Sequence, residues 1–169
     1  MYKRQVASLT TGKKKYVDVE REIQQLLEST NALQNKLLDQ VRADAEGFQP
    51  LSRAYAIPRE DPTRAAALQS AAETACTAPL EIMALCAAAL SAAGRLAEIG
   101  SRLAVSDAGC AAAILRGALE AAALNVLVNT KTMTDRSAAD HLNARCFALL
   151  DQGRTDGERI FCAVRDQLV

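Results

Sequence analysis

The chain has no tryptophan, only three tyrosines and three phenylalanines, and a single histidine, His141. One histidine excludes a histidine-rich zinc site and leaves no Ser-His-Asp or Cys-His arrangement to argue for. No stretch alternates Val, Ile, Thr or aromatic residues with polar ones, so strands are not expected. Lys plus Arg balance Asp plus Glu at 20 each. A nucleic-acid-binding surface normally brings a basic excess, so none is expected here. The five cysteines (Cys76, Cys86, Cys110, Cys146 and Cys162) form no CxxC pair. Scattered thiols of odd number read as reduced core residues of a cytoplasmic protein. No signal peptide is visible. The uncharged run Ile82 to Gly94 is too short to span a bilayer, so no membrane partner is expected.

What the chain has in abundance is alanine, about a fifth of all residues, far above ordinary usage. Ala is the best helix former, and its small side chain lets helices approach closely. The 169 residues suit one domain with a real core. The expected fold is all-α: a multi-helical bundle of long antiparallel helices over residues 1–169.

The opening MYKRQ does not fit the rest of the chain and reads as a scar. Val6 to Thr10 reads as the last turn of a helix ended by Gly12. Val19, Ile23, Leu26, Leu33, Leu37 and Val41 recur at helical spacing, predicting a helix from Tyr16 to about Arg42. A second segment is expected from Asp44 to Tyr55, interrupted at Gly47 and Pro50. After a loop at Ile57 to Pro62, Asp61 would cap and Pro62 open a helix to about Thr77. Pro79 either kinks it or opens the next helix, Leu80 to Ile99. Gly100 to Val105 is a loop, and Ser106 to about Asn129 the next helix. Lys131 to Arg136 is a turn, with Thr134 or Asp135 as cap. A final helix covers Ser137 to Leu168, weakened at Gln152 to Gly157 by two glycines.

The helix from Ser106 carries the most informative polar residues. At about 100° per residue, Asp107, Ala111, Ile114, Ala118 and Asn125 share one stripe, with Arg116 and Glu120 opposite. This puts Asp107 and Asn125 on the packed side. Asp107 reads either as a helix cap or as a functional carboxylate, and Asn125 either as a core amide or as a ligand group. Eighteen residues of helix span roughly 27 Å, so the two cannot touch one reacting atom within one chain. A long ligand, or an antiparallel helix from a second subunit, would bridge them. Lys13, Lys14 and Lys15 precede a long helix. They form either a solvated basic turn or a site for a carboxylate or phosphate.

Six segments then occur in order: LTTGKKKY, DAEGF, PLSRAYAIP, APLEIM, SDAG and ALNVLVNTKTMTDR. Together they resemble the cyclodeaminase/cyclohydrolase family of folate enzymes. That family includes stand-alone methenyltetrahydrofolate cyclohydrolases and the cyclodeaminase domain of formiminotransferase-cyclodeaminase. The resemblance implies an all-α homodimer acting on one-carbon units held between N5 and N10 of tetrahydrofolate, with no cofactor beyond that folate substrate. It implies Asp107 as the acid/base group and Lys13, Lys14 and Lys15 as partners of the folate glutamate tail. Asn125 and Asn129 would offer hydrogen bonds to the pterin or orient Asp107, and Ser106 would be a further substrate-binding residue. Either hydrolysis of the methenyl group or loss of ammonia from the formimino group fits. The family's glycine-rich PGGGS-like segment is missing upstream of LTTGKKKY, so a truncated, catalytically incomplete helical dimer is the further alternative.

Overall fold

The computed structural model describes residues 9–169; the MYKRQ segment and Val6 to Ser8 lie outside the described residues. Five helices carry the fold: α1 (Glu20–Ala56), α2 (Arg64–Ala75), α3 (Thr77–Ile99), α4 (Val105–Thr132) and α5 (Arg136–Leu168). Two 3-10 turns, Lys14–Val19 and Arg102–Ala104, precede α1 and α4. No strand occurs among the described residues. The expected all-α bundle is therefore present.

The helices pair antiparallel. Gly109, Leu119 and Thr130 of α4 face Val164, Gly153 and Asn143 of α5, in falling order along the partner. Leu90 and Cys76 pair in the same way with Ala112 and Val126. Ile23 of α1 meets Leu96 of α3, while Leu51 and Ala54 meet Ala71, Ala72 and Ala75 of α2. The central core joins Leu80, Met83 and Cys86 to Leu119, Val126, Cys146 and Leu150. Across the buried core as a whole alanine is abundant, which lets α3, α4 and α5 lie close.

Several boundaries differ from expectation. The two segments expected before Ile57 are one helix, with Pro50 inside it. Proline removes the amide that would bond the Glu46 carbonyl, but Glu46 is exposed to water. The buried Leu51 and Ala54 hold the last turns helical by packing. Asp61 does not cap a helix opened by Pro62. Its Oδ1 accepts from the Thr63 amide at 2.8 Å and the Thr63 hydroxyl at 2.6 Å, a local turn that delays α2 to Arg64. Pro79 sits in the first turn of α3, where its missing amide has no intrahelical partner to lose. Asp135 does cap α5, accepting from the Ala138 amide at 3.0 Å.

The last helix is unbroken through Gln152 to Gly157. The two glycines are not breakers; they are where α4 and α5 touch. A Cβ at Gly153 would stand 2.4 Å from Leu119 Cδ1, and one at Gly157 would stand 2.9 Å from Arg116 Cβ. A Cβ cannot swing aside without moving backbone. Gly157→Ala is therefore expected to destabilise the fold by about 1–2 kcal/mol, overpacking outweighing the helix-propensity gain of about 1 kcal/mol. Thermal unfolding should show a melting point lower by roughly 2–8 °C.

The cysteines are not uniformly core residues. Cys76, Cys86 and Cys146 are buried, Cys162 is half-buried and Cys110 is exposed. Burial pushes the Cys76 thiol up to about 11 and also raises that of Cys146. A thiol-specific reagent at pH 8 should leave Cys76, Cys86 and Cys146 unmodified until the protein unfolds, which mass mapping of labelled peptides would check.

Length and composition do not exclude a membrane as simply as the run Ile82 to Gly94 suggests. Arg64–Ile99 and Arg102–Thr132 are each long and apolar enough to cross one. The apolar window of the first is 67% buried in the fold, that of the second only 33%. The difference matters because it leaves an uncovered apolar face on α4.

Candidate active site

The strongest local construction lies where the start of the chain meets the entry to α4. Leu9 and Thr10 are helical, and Gly12 turns the chain with φ of 76°, a conformation glycine adopts without steric cost. The Gly12 amide donates to both carboxylate oxygens of Glu20, at 3.1 and 3.0 Å. Thr10 is fully buried, and its hydroxyl accepts from the amide of buried Ser101 at 2.8 Å. This bond fastens the LTTGKKKY segment to the loop that leads into SDAG. On the far side, Arg95 of α3 grips Glu22 of α1 at 2.6 Å and Glu98 at 2.8 Å. The bidentate contact with the Arg95 guanidinium holds the Glu22 carboxyl below the usual carboxylate range.

An open groove of about 460 Å³ runs along this junction. Lys15, Tyr16, Glu98, Arg102, Val105 and Gln167 are among its walls. Lys13, Lys14 and Lys15 are exposed, and the Lys15 ammonium stands 5.7 Å from the Tyr16 ring centroid, within cation–π reach. Ser106 is exposed and Asp107 half-buried, both in the first turn of α4, one and two residues beyond the groove-lining Val105. Neither caps the helix: Ala104 holds that position, and no side chain bonds it. Asp107 thus has no structural hydrogen bond to explain its presence among the described residues.

The two asparagines are elsewhere. Asn129 is buried near the opposite end of α4, and its Nδ2 donates to the Ala75 carbonyl at 3.1 Å. This amide ties α4 to the end of α2. Asn125 is exposed. The stripe of Asp107, Ala111, Ile114, Ala118 and Asn125 is only partly on the packed side: Ala111 is buried and Asp107 half-buried, but Ile114, Ala118 and Asn125 face outward, contrary to expectation. Ile114 is 59% exposed, and Ala118 is also on the surface. The buried side is instead Ala108, Ala112, Leu119, Ala122 and Val126. Arg116 and Glu120 do not pair with each other. They reach across to Glu158 and Arg154 of α5.

Sequence reasoning missed Arg102 and Tyr16 as groove residues. Tyr16 ends the LTTGKKKY segment, but Arg102 lies in none of the six, and the fold brings it to the same groove as Lys15.

The formiminotransferase-cyclodeaminase family model matches residues 3–148. Methenyltetrahydrofolate cyclohydrolase of Methylorubrum extorquens is 36% identical over 167 residues, 96% of this chain and 80% of that protein. Formimidoyltransferase-cyclodeaminase of Sus scrofa is 30% identical over 154 residues, 89% of this chain, which spans only 28% of that longer protein. The crystal structure of formiminotetrahydrofolate cyclodeaminase from Thermotoga maritima superposes with a TM-score of 0.83 at 25% identity, covering 99% of this chain and 79% of that one. With six ordered segments, one helical architecture and a family match over most of its length, the chain belongs to the formiminotransferase-cyclodeaminase family.

Proposed function

We propose that the chain is a folate one-carbon enzyme, a methenyltetrahydrofolate cyclohydrolase that converts 5,10-methenyltetrahydrofolate and water to 10-formyltetrahydrofolate and a proton. The observation that carries this reading is the joining of the two segments richest in candidate chemistry. The buried Thr10–Ser101 bond brings the lysine turn beside the entry to the helix that bears Asp107. The 36% identity to a cyclohydrolase supports hydrolysis as the reaction.

In this reading water attacks the electrophilic methenyl carbon, and the Asp107 carboxylate takes the proton as the C–O bond forms. Collapse of the adduct breaks the bond from that carbon to N5, which gains a proton as the adduct's hydroxyl loses one, and leaves the formyl group on N10; the proton first taken from water is the one released. Lys13, Lys14 and Lys15 attract the glutamate carboxylates, and Ser106 offers a hydroxyl beside Asp107. Asn125 and Asn129 are too far along α4 to reach the same carbon in one chain. Asn129 is also occupied by the Ala75 carbonyl.

The reading extends to a homodimer in the cytoplasm. Its support is the outward stripe of α4, where Ile114, Leu124 and Val128 are 59%, 67% and 58% exposed beside Ala113, Gly117 and Ala121. Apolar faces of this kind mark contact surfaces. A two-fold antiparallel pairing here would bring Asn125 of one copy toward Asp107 of the other. Scattered cysteines with no CxxC pair suit a reducing compartment.

The test is loss of methenyltetrahydrofolate absorbance with purified protein, run beside ammonia release from 5-formiminotetrahydrofolate. Rapid hydrolysis without ammonia release supports the cyclohydrolase. Faster ammonia release supports the cyclodeaminase, a second reading favoured by the likeness to the Thermotoga maritima structure. Turnover of neither substrate leaves a non-catalytic helical dimer.

A further inference from the structure

We propose that the outer face of α1 is a self-association seam, through which two copies of the chain pair antiparallel and join α4-paired dimers into a larger assembly. The proposal stands apart from the folate reading and from the α4 pairing, because another helix carries it.

α1 is 37 residues long, yet its buried residues are only Ile23, Leu51 and Ala54, all near its ends. Nothing from residue 24 to residue 50 is buried. The side left over is Leu38, Val41, Ala45, Phe48, Ser52 and Tyr55, all exposed and spaced alternately by three and four residues. Leu38, Val41, Phe48 and Tyr55 are 62%, 71%, 54% and 46% exposed. Alternate steps of three and four are the spacing at which one helix meets another along a seam. The inner contacts Leu37, Leu51 and Ala54 lie one residue back along the chain, so the seam sits roughly 100° around the helix from them. An open groove of about 450 Å³ beside Leu38, Val41, Arg42 and Glu46 leaves room for a neighbour.

The seam fits a second copy of itself. With a two-fold axis between Glu46 and Gly47, Phe48 of one copy lies level with Ala45 of the other, Val41 with Ser52, and Leu38 with Tyr55. In the two layers nearest the axis a larger side chain thus meets a small one, which lets the helices close. A parallel pairing would set Phe48 against Phe48 and Ala45 against Ala45, crowding one layer and leaving a gap in the next. No charged residue lies on the seam; Asp39, Arg42, Asp44, Glu46 and Arg53 stand beside it. With three acids against two arginines these flanks disfavour an anionic lipid surface, which draws on basic flanks. A seam of this length covers roughly 500 Å² per copy, short of the roughly 800 Å² per partner of a standard stable interface. Association is therefore weak and concentration-dependent.

Light scattering on the wild type from about 5 µM to about 500 µM tests the seam, because a weak self-association shows as mass action. The mass should climb with concentration toward double its lowest value. Phe48→Glu, and Leu38→Glu as a second variant, should hold the lowest value throughout. Both residues are exposed, so each variant should melt as the parent does. Ile114→Glu should climb from one chain toward two over the same range, which separates this seam from the α4 pairing. A constant wild-type mass, or a rise in Phe48→Glu equal to that of the wild type, overturns the proposal. Cysteine pairing checks the direction. Leu38→Cys and Tyr55→Cys, each on a Cys110→Ser and Cys162→Ser background, should form the mixed disulfide when oxidised together in air. Two copies of residue 38 lie roughly 25 Å apart in the antiparallel pair, so a dominant Leu38→Cys self-pair overturns it. Flotation with lipid vesicles that is lost in Phe48→Glu would assign this face to a bilayer and also overturn the seam.

Discussion

Asp107→Asn should lower turnover of methenyltetrahydrofolate by roughly 10²–10⁴-fold, the usual contribution of a positioned acid or base. Asn keeps the size of Asp and its hydrogen-bonding oxygen but cannot accept a proton at neutral pH. The fold has little reason to notice the change. Asp107 caps nothing and bonds nothing among the described residues. Its one evident structural contribution is a negative charge in the first turn of α4, worth about 0.3–1 kcal/mol at an exposed site. A melting point within a few degrees of the parent, a substrate KM little changed and a collapsed kcat would together mark a proton-transfer role. Ser106→Ala beside it should cost far less, because the serine is exposed and replaces no proton acceptor. Equal kcat values for Asp107→Asn and wild type would remove Asp107 from the mechanism, and the search for the base would move to other carboxylates.

How far the sequence announces this arrangement depends on the kind of signal. Helices marked by widely spaced large residues, such as Ile23 and Leu26, are legible, because only one side of the helix could be core. The Asp135 cap is legible because a short carboxylate before a helix has few other uses. The inside of α4 is not legible. On a helix made almost entirely of alanine and other small apolar residues, every face resembles a core face, and periodicity identifies a stripe without saying which way it points. Asp107, Ala111, Ile114, Ala118 and Asn125 do share a stripe, yet only Ala111 is buried and Ile114, Ala118 and Asn125 face solvent. Asn129, four residues on, turns inward and bonds a backbone carbonyl left near the end of α2, a partner no spacing rule reveals. The glycines of α5 look like weakness for a similar reason. Gly153 and Gly157 are needed only because Leu119 and Arg116 press against them, and that is a fact about α4. In the candidate site, the lysine turn and Asp107 can be named from their segments. Their meeting through Thr10 and Ser101, and the arrival of Arg102 beside Lys15, are tertiary facts.

The outward stripe of α4 leads to the second large effect. Ile114→Glu should convert a homodimer into monomers. The residue is 59% exposed in the single chain, so a glutamate there disturbs no internal packing. Pairing of two α4 helices across this face would bury it near Gly117, where an added Cβ meets nothing within 4 Å and a partner helix has room to approach. Two-fold symmetry puts two such glutamates into one interface, and each would lose water without gaining a partner. An uncompensated charge of this kind costs about 3–5 kcal/mol, which raises the dissociation constant by roughly 10²–10³-fold or more. Light scattering on the wild type should give twice the 18.0 kDa chain mass, and the variant should fall to one chain at the same concentration. Cys110 reports the same event chemically. It is exposed in the isolated chain and lies on this stripe, so a thiol reagent should modify it slowly in the wild-type dimer and quickly in Ile114→Glu. Activity then tells what the pairing is for. If Asn125 of the partner completes the site around Asp107, the monomer should lose turnover while keeping its melting transition, and Asn125→Ala should lower activity without splitting the dimer. A wild type that is monomeric at micromolar concentration, with Cys110 freely reactive, would overturn the pairing. Wild-type protein that floats with anionic or neutral lipid vesicles while Ile114→Glu does not would assign the apolar stripe to a bilayer instead.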